Sequence, residues 1–196
     1  MSVTFATEPA GSRSALADGL NALGASPLPS AKAHFAAVNG ASAPPPLPVH
    51  VFGLDELAAG RDPRNGLPTS WKYLLVCGSQ SVRSADVLAF PNGFEFASIS
   101  ETEASAINNA VEAAENDQVV SRGDYELRLA RIPALYVTAL WLKDVKQGQD
   151  RFVVVPPAPE GFAALSIHDG VDFLKLLQAA AKKRATPQQA GSSPTN

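Results

Sequence analysis

The stretch 135–143 constrains the fold more than any other part of the chain. Read as a strand, it puts Leu135, Val137, Ala139 and Trp141 on one face and Tyr136, Leu140 and Leu142 on the other. Side chains alternate between the faces of a strand, so apolar residues on both sides require cover on both sides. Such a strand belongs in the middle of a sheet. The run 125–131 before it is different: Tyr125, Leu127 and Leu129 alternate with Glu126, Arg128 and Ala130, so one face is wet.

Local signals place the other elements. A short strand over 49–52 leads into one or two helical turns closed by Gly60, and Asp62-Pro63 with Asn65-Gly66 makes 61–70 a loop. A strand over 71–76 follows. Pro91-Asn92-Gly93 joins strands over 84–90 and 94–98, because Asn-Gly accepts the positive φ of a tight hairpin turn. Ser100 and Glu103 fit a capping box, and Ala104, Ile107, Val111 and Ala114 give a helix over 101–115 a narrow apolar stripe. A last strand over 151–155 is stopped by Pro156, Pro157 and Pro159. A helix over 169–185 starts at a cap from Ser166 with Asp169, or Asp169 with Asp172, and ends in Lys182, Lys183 and Arg184, which suit the negative end of its dipole.

From residue 71 the order is β-β-β-α-β-β-β-α. This predicts an α+β domain with a mainly antiparallel sheet of about six strands packed by two helices. If both helices share one face, the other must bury Leu140 or Trp141 against the N-terminal segment or a second subunit.

Residues 1–48 read as a low-complexity arm. Only Glu8, Arg13, Asp18 and Lys32 are charged. Leu16, Leu20 and Leu23 outline a short helix that Gly19 weakens, and a second candidate covers 31–39. The run from Ala43 through Pro44, Pro45 and Pro46 to Pro48 favours polyproline II. The expectation is an arm and linker that add little to stability, one domain over 49–185, and a disordered tail over 186–196.

Charge and cysteine usage narrow the function classes. A net charge of −3 and a pI near 5.6 leave no basic stripe for phosphate neutralisation, so nucleic acid is not an expected partner. One cysteine excludes an internal disulfide framework and a multi-cysteine zinc site. No basic n-region or long apolar run is present, which predicts a cytoplasmic protein off the membrane. No cofactor or metal is implied, since His34, His50 and His168 share no ligand spacing.

Candidate chemistry is sparse. Cys77 closes the 71–76 strand beside Gly78 and could act as a nucleophile with His50 or His168 as base; its neighbours Leu74, Leu75 and Val76 favour a buried structural thiol instead. The Gly78–Ser81 segment reads as a turn between strands. Glu126 and Arg128 share a strand face that could be a solvated ion pair or a partner-binding surface, with Arg131 opposite. Trp71, Tyr136 and Trp141 could line a cavity or fill a core. Three readings follow: a non-enzymatic protein-binding adaptor or chaperone-like module of bacterial type, homodimeric in one version; a cysteine-dependent enzyme; and a small-molecule-binding domain with its pocket between sheet and helices.

Overall fold

The computed structural model describes residues 2–77, 80–146 and 148–186, and the α+β class holds. In chain order the elements are β1 (Ser2–Phe5), α1 (Ser12–Ala25), α2 (Pro29–Val38), β2 (Leu47–Val51), α3 (Leu54–Ala58), β3 (Ser70–Cys77), β4 (Gln80–Phe90), β5 (Gly93–Ser100), α4 (Glu103–Asn116), β6 (Asp124–Ile132), β7 (Val137–Asp144), β8 (Arg151–Val155), β9 (Ile167–Asp169) and α5 (Gly170–Ala185). The sheet is therefore larger than the six strands expected, and it is mixed. Its order is β5-β4-β3-β2-β6-β7-β8-β9, with β1 also on β6. β1 and β2 both run parallel to β6 and share its side away from β7, β1 beside Asp124–Leu127 and β2 beside Leu129–Arg131.

β7 is the central strand its pattern demands, paired with β6 on one side and β8 on the other. Leu140 and Leu142 turn to α4, packing with Ile107, Ala110 and Ala114. Ala139 and Trp141 turn the other way, to α3 and α5, with Phe152, Phe173 and Leu177. Leu140 is 0% and Trp141 1% exposed. The two long helices thus lie on opposite faces, and this chain alone covers both sides of β7. A second subunit is not needed to explain that strand's composition.

Four further sequence expectations change. Tyr136 is not in the strand: a 3-10 turn over Pro133–Leu135 precedes β7, and Tyr136 follows it in the left-handed region (φ 55°). The strand over 151–155 is not the last, because β9 pairs with it. The N-terminal segment is folded onto the sheet, with α1 and α2 covering β3, β4 and β5 through Leu16 and Val38. Ser12 Oγ and the Tyr73 hydroxyl lie 2.7 Å apart, and that hydroxyl donates to Glu8 at 2.8 Å. The polyproline stretch ends early, since Leu47 and Pro48 already belong to β2. Most of the expected tail, from residue 187, lies outside the described residues.

Candidate functional site

Capping chemistry starts the first site. Ser100 Oγ accepts the backbone N–H of Glu103 at 3.3 Å, but α4 begins at Glu103 behind Thr102, whose side chain makes no cap bond, so the expected capping box does not form. The Glu103 side chain, however, turns inward. One carboxylate oxygen takes Lys72 Nζ at 2.5 Å and the other takes an Arg131 nitrogen at 2.5 Å. Lys72 also donates to Asp86, its register partner across β3 and β4, at 2.6 Å, and Arg131 reaches Asp86 at 3.4 Å. Lys72 is 0% exposed. Burial works to raise the Glu103 carboxyl, but the Lys72 ammonium and the Arg131 guanidinium outweigh it and hold the group below its usual value. Two cations and two anions balance, so the cluster ties α4 to three strands without a net buried charge.

Beside this cluster a cleft of about 670 Å³ opens between the first turn of α4 and the ends of β6, β7 and β8. Glu103 and Arg131 contribute to its lining. Ala106, Pro133, Val137, Val155 and the Pro156–Pro157 pair supply apolar wall, and Ser100, Thr102 and Thr138 supply hydroxyls. Tyr136 stands on its lining, 72% exposed, with Arg184 of α5 5.6 Å from its ring centre. A left-handed backbone is uncommon for a bulky aromatic residue, and an exposed ring recovers little burial energy in exchange.

The second grouping contains most of the sequence-predicted residues, and it is packed rather than open. On the opposite face, an Arg128 N–H reaches His50 Nε2 at 3.3 Å, while its guanidinium lies 5.1 Å from the Trp141 ring centre and bonds Glu126 at 2.6 Å. His50 meets Trp141 edge-on at 5.0 Å. A guanidinium can only donate, so Nε2 accepts and the ring proton sits on Nδ1. Burial, then the neighbouring Arg128 charge, pushes the His50 pKa down to about 4. His50 is therefore neutral at pH 7 and 2% exposed. Glu126 and Arg128 are half-buried and Trp141 fills the core, while Trp71, 7% exposed, packs in a separate cluster with Leu16 and Tyr73.

The thiol–imidazole pairs do not assemble. His50 adjoins Val49, the register partner of Ser70 at the start of β3, whereas Cys77 ends that strand. Seven residues of strand separate the two ends by about 23 Å. His168 lies on β9, five strand positions from β3, or about 24 Å across the sheet. Its Nε2 is 2.8 Å from Ser166 Oγ, its ring leans on Phe173, and burial lowers its pKa. The Cys77 side chain and residues 78 and 79 lie outside the described residues. His34 sits 3.5 Å from Glu101.

Among the described residues, no group of three or more His, Cys, Asp or Glu side chains could hold a metal ion, and no helix is long and apolar enough to cross a membrane. Sequence reasoning missed Lys72, Asp86, Thr102 and Thr138. A signal existed for Lys72, the one charge in the otherwise uncharged strand Ser70–Cys77, whereas Asp86 shares its strand with Arg83. No protein-family model, curated protein or solved structure matches the chain.

Proposed function

We propose that the protein is a non-enzymatic binding module whose cleft at the start of α4 takes a small ligand with an apolar body and a hydrogen-bond acceptor. The observation that carries the reading is the cleft itself. Its volume lies within the range of small-molecule sites, and its walls are apolar with a few converging polar groups. Hydrogen-bond donors are available there. Both Glu103 oxygens are taken by Lys72 and Arg131, while Ser100 Oγ already accepts an N–H and is left with its proton to give. Arg131 has five N–H groups, more than its bonds to Glu103 and Asp86 use. The separation of Cys77 from His50 and His168 supports a binding role over cysteine chemistry.

Tyr136 supplies the test. Tyr136→Gly removes the cost of a left-handed non-glycine residue, about 1 kcal/mol, and gives up little burial. Urea unfolding should show the variant as stable as the parent or more so. Ligand-observed NMR with a fragment library should give hits on the parent that vanish in Tyr136→Gly and in the cleft-filling Thr138→Trp. Hits that bind all three proteins equally would refute the cleft reading.

A further inference from the structure

A second groove lies at the far edge of the sheet, between α1 and β5, with a volume of about 550 Å³. β5 is the terminal strand, paired only with β4, so one rank of its N–H and C=O groups faces outward. Edges are commonly blunted by proline, lysine or a bulge. Gly93–Ser100 contains neither proline nor lysine, and the register irregularity opposite Asp86 and Val87 falls between Phe96 and Ser98. The stretch from Gly93 to Phe96 is left regular.

The groove runs along that regular stretch. Phe94 and Phe96 line it from the strand, and Gly19, Leu23 and Leu28 line it from the helical side, Leu28 being 61% exposed. Its charged lining residues, Asp18 and Glu95, are both acidic, and among the described residues neither has an ion-pair partner. We propose that this edge and groove receive an extended segment of another protein as an added strand, with apolar side chains in the groove beside Phe94 and Phe96 and basic side chains on the other face, against Glu95, while Asp18 on α1 adds negative charge at the groove's helical rim. Strand addition supplies main-chain hydrogen bonds, and alternate side chains entering a neighbouring groove supply selectivity. A second copy of this chain is the poorer occupant, because β5 carries the acidic Glu95 and no basic residue to meet it. The proposal stands apart from the cleft near α4 and does not depend on it.

The probe is an eight-residue peptide alternating lysine and valine, with a glutamate–valine peptide of equal length as its control. In amide NMR of the full chain, the basic peptide should shift resonances of Gly93–Phe96 and of α1, with binding that weakens as salt rises. Charge reversal at two exposed groove positions, Asp18→Lys with Glu95→Lys, should cut its affinity at least tenfold and restore binding to the acidic peptide. An unchanged spectrum far from the groove shows that the variant is folded. Equal binding of both peptides, indifference to the reversal, or no binding of either would overturn the proposal. So would β5 shifts that track protein concentration without peptide, since these would make the occupant a second copy.

Discussion

His50 looks like a catalytic base in the sequence and behaves as a packed ring in the fold. Its pKa falls from 6.5 to about 4, so folding favours the neutral form. The stability this gives is complete above pH 6.5 and is lost as pH drops from there toward 4. A histidine held that low contributes on the order of 3 kcal/mol in all, of which about 2 kcal/mol disappears between pH 7 and pH 5. We expect the loss of unfolding free energy between those pH values to shrink by about that amount in His50→Gln. His168 titrates in the same direction in both proteins, so its effect cancels in the comparison. Urea curves at the two pH values check this, and an unchanged pH dependence would rule out a depressed His50. What the sequence could not supply was burial. The spacing of His50, Glu126, Arg128 and Trp141 along the chain gives no hint that parallel pairing of β2 with β6 brings them together.

Among the elements, those with a periodic or turn signature were legible and the shortest were not. The hairpin between β4 and β5, the cap at Asp169 with its 2.9 Å bond to Val171, and the double-faced strand β7 match the reading from residues alone, although the hairpin turns on Pro91 and Asn92, without a positive φ at Asn92, and not on Asn92-Gly93. β1 and β9 have four and three residues, too few to show a period. α1 was legible as a helix but not as a docked one, because its glycine looked like a weakness. A Cβ on Gly19 would come within 2.1 Å of the Phe96 ring and 2.3 Å of its Cβ. The glycine is what lets α1 lie directly on β5. Gly19→Ala should therefore destabilise by about 1–3 kcal/mol through overpacking, even though alanine is the better helix former by about 1 kcal/mol. Thermal unfolding checks the sign: a higher midpoint would mean that α1 does not sit against Phe96.

For the whole molecule, the outcome turns on whether residues 2–46 are an arm or part of the core. Their composition, rich in Ala, Ser, Gly and Pro with few large apolar anchors, suggested the former. The structure places Leu16 and Val38 at 4% exposure each, against Trp71, Tyr73, Leu75 and Val87. Burying one such side chain stabilises by roughly 1.5–3 kcal/mol, so two anchors already exceed what a frayed terminus contributes. The Tyr73 hydroxyl adds a buried polar link, and burial, only partly offset by Ser12, raises its pKa to about 12. Small residues in this segment reflect close approach rather than looseness, as Gly19 shows. A chain beginning at Leu47 would expose one face of β3 and β4 and lose the strand that β1 adds to β6. Relative to the full chain, it should lose more than about 2 kcal/mol of unfolding free energy and bind a hydrophobic dye in the absence of denaturant. Leu16→Ala in the intact chain should cost about 2–5 kcal/mol by the same contacts. Truncated and full chains unfolding at one urea midpoint, with Leu16→Ala unfolding beside them, would return the segment to the status of an arm and leave the face of β3 and β4 without a cover from its own chain.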